Sequence, residues 1–228
     1  MRKGIIGTAL ASVCVAVLVV SGCSENINEL KENARAKALS EPVMAAEETE
    51  EEGTEEESVS PEQMDLIKYN YYVELNNEIV KLMDDIDYYY EVVEYDEEFA
   101  LIPDSGYTYG YRIRGFGKDL ADDCIQLADM EPAYETLDPL IKEMAEPLKE
   151  LMAAFSEVSR SNDYAANQYQ KAKELHAVIY PAADEFEPMG YEFIHAVSAV
   201  ADERIAAEEE EMKAEGRPVS YTHLRAHE

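Results

Sequence analysis

Between Tyr134 and Val158 the chain repeats an apolar or aromatic side chain at gaps that alternate three and four residues without a miss. The positions are Tyr134, Leu137, Ile141, Met144, Leu148, Leu151, Phe155 and Val158. That spacing puts every one of them on a single stripe of an α-helix, the seam along which helices pack with left-handed supercoiling. A second row runs from Met64 through Ile67, Tyr71, Leu75, Ile79, Leu82, Ile86 and Tyr90 to Val93. A third takes in Ala172, Leu175, Ile179, Ala182, Phe186, Met189 and Phe193, then Val197 and Val200. Neither departs from helical spacing. Pro139 and Pro147 interrupt the first of these rows, and Pro181 and Pro188 the last. A proline inside a helix removes a hydrogen bond and crowds the preceding turn. The rows nevertheless stay in phase across each one, which predicts kinked helices rather than breaks. The segment "EPMG", 187–190, is where a break is most expected.

The boundaries are readable too. Ser60, Pro61 and Gln63 form a capping-box start with proline in the first turn. The first helix is expected to run up to "IPDSG" at 102–106, where Pro103 and Gly106 stop it. A weaker helix is expected over about Lys118 to Met130, and "SND" at 161–163 separates the Tyr134–Val158 row from the Ala172–Val200 row. Strand alternation competes nowhere except in the 107–116 loop. The predicted fold class is all-α: an antiparallel bundle of three long, proline-kinked helices plus a shorter one, over residues 61–215.

Ahead of this domain, Arg2 and Lys3 precede an apolar run from Ile5 to Val20. This is the pattern of an export signal, and it is short for a membrane span. The run closes on Val20-Ser21-Gly22-Cys23, which resembles the lipobox of bacterial lipoproteins. The resemblance implies a signal peptide over 1–22, cleavage between Gly22 and Cys23, and a lipid, such as palmitate, carried by Cys23. Acyl chains anchor through about 0.8 kcal/mol per buried CH₂. Loss of Cys14 with the signal and acylation of Cys23 leave Cys124 as a lone thiol, so no disulfide staples the domain. Residues 23–60 read as a lipidated N-terminus and a disordered acidic linker. Positions 40–60 hold nine Glu and no Lys or Arg, too little to bury and too much like charge to collapse. With Arg2 and Lys3 removed, 17 Lys and Arg remain against 50 Asp and Glu, a net charge of −33. Such a field repels nucleic acid and anionic headgroups.

Two stretches, "KYNYYVELNNEIV" at 68–80 and "NDYAANQYQKAKELHAVIY" at 162–180, stand behind the lipobox and together resemble the YiiG-like family of bacterial lipoproteins. The resemblance spans about 61–205 and implies a helical envelope domain without an assigned catalytic residue. The tail, 216–228, differs in character from the acidic segment before it. Its last ten residues, "VSYTHLRAHE", resemble a translated sequencing adapter, so the spacing of His223 and His227 is not taken as a metal site.

Candidate chemistry is sparse. Glu192 and His195 have the Glu-x-x-His spacing of carboxylate-bridged metal bundles. No second copy exists, and His195 lies far round the helix from Phe193. His176, beside Leu175, is expected to be a hydrogen-bonded, partly buried histidine, with Asn76 and Asn77 as satisfied polar groups against it. Asp84, Asp85 and Asp87 are expected on a solvated helix face, since a calcium loop needs glycine and alternating oxygens. Among the 16 tyrosines, Tyr69, Tyr71, Tyr72 and Tyr88 to Tyr90 cannot all face one core, so some are expected at the rim. "GYTYGYRIRGFG", 106–117, is the most basic spot in the domain, and tyrosine and arginine are favoured interface anchors. Tyr107, Tyr109, Tyr111, Arg112, Arg114 and Phe116 are therefore the candidate partner contacts. The competing reading is a hairpin-like loop whose arginines neutralise neighbouring carboxylates.

The sequence thus predicts a lipid-anchored extracytoplasmic protein acting as a helical interaction or scaffold module at the cell envelope. Its partners would be the bilayer, through Cys23, and an envelope protein or other envelope macromolecule. A small-ligand or cation-binding lipoprotein with a cleft between kinked helices is the alternative. No catalytic residue, metal site, cofactor or nucleic-acid partner is expected. The sequence holds no nucleophile elbow, phosphate loop, Cys/His pair or zinc helix that would support an enzyme.

Overall fold

The computed structural model describes residues 60–105, 108–110, 112–117, 119–160, 165 and 167–216. The leader, Gly22, Cys23, the acidic linker, Tyr107, Tyr111, "SND" and the tail from 217 lie outside the described residues. Among the described residues the fold has four helices: α1 (Pro61–Val92), α2 (Asp119–Leu127), α3 (Leu137–Arg160) and α4 (Gln170–Ala214). Among the described residues there is no strand, only a single bridge between Val93 and Leu101.

The helices form an up-and-down bundle. α4 lies between α1 and α3, and α2 closes the opposite side by packing on both. Contacts along α1 and α4 run in opposite senses: Asp65 meets Arg204, Tyr72 meets Phe193, and Tyr89 meets His176. α3 runs parallel to α1 on the diagonal, with Asp138 near Lys68 and Phe155 near Tyr89.

The predicted start of α1 is present in full. The Ser60 hydroxyl accepts from the Gln63 N–H at 3.2 Å, and the Gln63 side chain accepts from the Ser60 N–H at 2.9 Å. These bonds satisfy two of the groups a helix start leaves open. The end of α1 differs from expectation. The helix stops at Val92, well short of "IPDSG", and 93–101 folds back as a narrow arch. Glu94 N–H donates to Ala100 O and Ile102 N–H to Val92 O, both at 2.8 Å. The seam of α1 is also displaced by one residue at both ends. Lys68, Tyr72, Leu75, Ile79, Leu82, Ile86, Tyr89 and Val93 are all at most 1% exposed, whereas Ile67, Tyr71 and Tyr90 are only part-buried. Their gaps alternate four and three as cleanly as those of α3.

The prolines behave as expected in phase. α3 is continuous through Pro147, and α4 through Pro181 and Pro188. Pro139 needs no accommodation, because it occupies the first turn of α3, where its missing N–H has no helical partner anyway. The expected interruption at 187–190 is absent. Gly190 there serves packing: a Cβ would sit 3.1 Å from the Phe186 ring and 3.4 Å from Met83 Sδ, so its lack of a side chain lets α4 approach α1. Gly110, at φ 75°, is the other position where glycine is needed, in a left-handed turn laid near Val158.

Candidate functional site

The 106–117 segment, the expected contact loop, is largely fastened down where it is described. Phe116 is a core residue at 7% exposure, and its N–H and C=O both bond the Ser156 hydroxyl, at 2.8 and 3.2 Å. Arg114 donates from its backbone N–H to Asp85 Oδ2 at 2.9 Å. Its guanidinium reaches Asp85 Oδ1 at 2.9 and 3.1 Å and the Lys81 carbonyl at 2.7 Å. Phe116 is thus corrected from a partner contact to a core residue; Arg114 is engaged by Asp85 and Lys81, although its side chain stays 42% exposed. Asp85 is corrected too: at 2% exposure it belongs to this latch rather than to a solvated face, although Asp84 and Asp87 are exposed as expected. Arg112 remains outward, with its guanidinium 4.8 Å from the centre of the Tyr88 ring. Tyr109 is half-buried against Phe99 and Tyr89.

The densest polar arrangement lies at the other end of α1, where sequence reasoning named no site. Lys68 is wholly buried, and its ammonium donates all three protons: to Met130 O at 2.7 Å, Pro132 O at 3.0 Å and Asp138 Oδ2 at 2.8 Å. Asp138 also accepts from the Tyr72 hydroxyl at 2.6 Å and from the Tyr134 N–H at 2.8 Å. The Tyr134 hydroxyl donates to Asp65 at 2.7 Å. Arg204, from α4, reaches both Asp65 Oδ2, at 2.5 Å, and the Tyr134 oxygen, while lying over the Tyr69 ring. A buried ammonium with every proton placed is a structural pin, because a lysine poised for chemistry needs a free lone pair or an open donor.

His176 is buried and hydrogen-bonded, as expected, but its partners differ. Nε2 donates to the Asp96 carbonyl at 2.8 Å, since that oxygen can only accept. In the neutral ring Nδ1 then accepts from the Tyr89 hydroxyl at 2.9 Å. Tyr89, Phe99 and Tyr180 surround the imidazole at ring separations of 5.7–5.9 Å. Asn76 does not complete this set. It is 3% exposed with its Oδ1 unpartnered, and Asn77 is exposed. Glu192 and His195 are exposed on α4, with Phe193 buried between them. Among the described residues no group of three or more His, Cys, Asp or Glu side chains could hold a metal ion. An open groove of about 530 Å³ is lined by Asn167, Gln168, Gln170, Lys171 and Glu174 at the turn before α4, away from the helix prolines. No helix among the described residues is long and apolar enough to cross a membrane.

Two expectations follow. Lys68→Met leaves two carbonyls buried without a donor and the Asp138 carboxylate buried without its counter-charge, and loses about 3–5 kcal/mol of unfolding free energy in urea. Lys142→Met removes an exposed pair with Asp129 and stays within about 1 kcal/mol. The second concerns alkali. Burial raises the Cys124 thiol above its ordinary 9.0. Burial and the Asp138 carboxylate raise Tyr72 above 10.0, and burial and Asp65 do so for Tyr134. Groups raised on folding stabilise below their unfolded pKa, and that stability is lost as pH climbs past it, because the unfolded chain releases the protons first. The urea midpoint is therefore expected to hold from about pH 7 to 8.5 and to fall between about pH 9 and 11, less steeply in Cys124→Ala.

The comparison with known proteins gives one match. A family model described as a protein of unknown function, DUF3829, matches residues 63–226. The match covers all four helices and extends into the tail read as adapter sequence. No curated protein and no solved structure matches the chain. A model that covers most of the chain and begins within the first turn of α1 shows the family: the chain belongs to the DUF3829 family.

Proposed function

We propose that the chain is a lipid-anchored, extracytoplasmic bacterial lipoprotein whose helical domain serves as an interaction or scaffold module at the cell envelope. The observation that carries this reading is the Val20-Ser21-Gly22-Cys23 stretch at the end of an apolar run led by Arg2 and Lys3. The YiiG-like resemblance points the same way, and residues 219–228 are read as translated adapter. Bundle geometry supports a role directed away from the membrane. The linker enters at Ser60, and Arg112 rests over Tyr88, 28 residues along α1. At 1.5 Å per residue the two are about 42 Å apart. Arg112 and the half-buried Tyr109 lie at the end of α1 away from Ser60, and Tyr107 and Tyr111 neighbour them in sequence. An outward arginine stacked on a tyrosine, in a strongly acidic domain, suits a polar contact with a macromolecule.

Mass spectrometry of the protein from its native envelope is expected to show S-acylated Cys23 as the first residue. An intact Met1 or an unmodified thiol there overturns the anchoring. Affinity recovery after crosslinking is expected to return a partner whose yield drops at least severalfold in Arg112→Ala. An equal yield removes the loop from the reading.

A further inference from the structure

We propose that the polar knot of Asp65, Lys68, Asp138, Tyr134 and Arg204 is a clamp against tension, holding α1 to the bundle at the end where the linker pulls. The inference rests on the anchored reading, because only an anchored chain transmits force through Ser60.

Its basis is the order in which a pull at Ser60 meets tertiary contacts. Residues 61–67 are exposed or part-buried, so the first turns of α1 carry little apolar contact. The first cross-helix bonds are those of Asp65, to Arg204 on α4 and to Tyr134 ahead of α3. The first wholly buried side chain is Lys68, held by two carbonyls between α2 and α3 and by Asp138 in α3. Tyr72, bonded to the same carboxylate, follows. Three polar side chains on three other segments, Arg204, Tyr134 and Asp138, therefore stand between the linker and the apolar seam.

Force is energy divided by the distance over which it is lost. A hydrogen bond weakens steeply with small changes of distance and angle, and charged partners make it stronger. Apolar contact is non-directional and lost in proportion to area, so it peels gradually. Charge-assisted bonds at the entry point thus resist a pull out of proportion to their equilibrium worth. The Asp65–Arg204 pair is about one-third exposed, at 35% and 34%, and such pairs add little to equilibrium stability. A stabilising role alone accounts poorly for a pair with this much geometry invested in it. The far end of α1 is built differently. There the charged latch, Asp85–Arg114, joins the helix to a loop, and the polar bond from α1 to α4 is the one between the Tyr89 hydroxyl and the His176 ring.

The test is single-molecule pulling on the mature chain beginning at Cys23, at a fixed loading rate. One handle is the Cys23 thiol and the other Lys173→Cys, on an exposed position near the start of α4. Buried Cys124 stays unlabelled in the folded chain. The control geometry uses Cys23→Ser with handles at Glu94→Cys and Lys173→Cys, both at the end away from the clamp. Asp65→Asn is expected to lower the rupture force by a third or more when the pull enters through the linker and to leave the control geometry unchanged. Arg204→Gln is expected to repeat the result. An unchanged force in the linker geometry, or an equal loss in both geometries, overturns the clamp. The thiol handle replaces the lipid, so absence of acylation in the native protein would remove the anchor without altering this measurement.

Discussion

An ammonium group at zero exposure constrains everything within reach of it. Lys68 is tolerable in the interior only if its three protons find acceptors, because an unpaired buried charge costs several kcal/mol. Two of the acceptors, the carbonyls of Met130 and Pro132, are available because their residues lie outside any helix. The connection between α2 and α3 must therefore cross α1 at the height of Lys68. The third acceptor, Asp138, must come from the first turn of α3, which sets where that helix begins relative to α1. Asp138 then has capacity left for the Tyr72 hydroxyl and the Tyr134 N–H, and Tyr134 in turn is bonded to Asp65 and Arg204. One buried charge thus ties the placement of three helices and one loop.

The two ends of the bundle are held by different chemistry, and the distribution of charge explains why. Residues 82–111 contain no Lys or Arg, and neither do residues 174–203. The antiparallel pairing of α1 with α4 brings these stretches together, so the arch and the part of α4 that follows Lys173 meet with carboxylates on both sides. Opposite charges cannot join them. Neutral donors and rings do so instead: the Tyr95 hydroxyl donates to Asp184 at 2.8 Å, Tyr95 packs on Tyr90 and Tyr180, and His176 binds the Asp96 carbonyl. At the other end, lysine and arginine are present and each closes on a carboxylate, as Lys68, Lys142 and Arg204 do. Abundant tyrosine without tryptophan suits the first situation, because each ring brings apolar area and a hydroxyl that can bond a carboxylate without a counter-charge.

How much of this could be read from residues alone depends on whether the burying residue looks apolar. The rows of α3 and α4 were legible because Leu, Ile, Met and Phe mark them, and their phase correctly outweighed the prolines. The capping box at Ser60 was legible because it is local. The α1 seam was legible only in its middle. Shifting the row by one residue makes the spacing flawless from Lys68 to Val93, but that places a lysine on the seam, and a hydrophobic pattern discards it. Asp138 and Asp85 escaped for the same reason, since their partners are distant in sequence by 70 and 29 residues. The arch at 93–101 was missed because its single bridge leaves no alternation to detect. In the 106–117 loop the competing reading, arginine neutralising a nearby carboxylate, is what Arg114 does, while Arg112 keeps the exposure that the contact reading needs.

Seams as regular as these raise a difficulty that the polar residues resolve. A helix pair built on an unbroken three-four repeat can slide by seven residues and still bury apolar side chains against apolar side chains. On α1, a slide by one heptad would exchange Leu75 with Leu82 and Ile79 with Ile86, at little cost in burial. The same slide would carry Lys68 away from Asp138, Tyr89 away from His176, and Asp85 away from Arg114. Each loss strands a buried polar group, and the three losses are simultaneous because the pins share one helix. Hydrophobic burial supplies the drive to assemble the bundle, but it is nearly indifferent to which heptad faces which. The polar contacts are unforgiving on that point, and their spread from residue 68 to 89 lets them exclude both a slide and a local overlap of the seams.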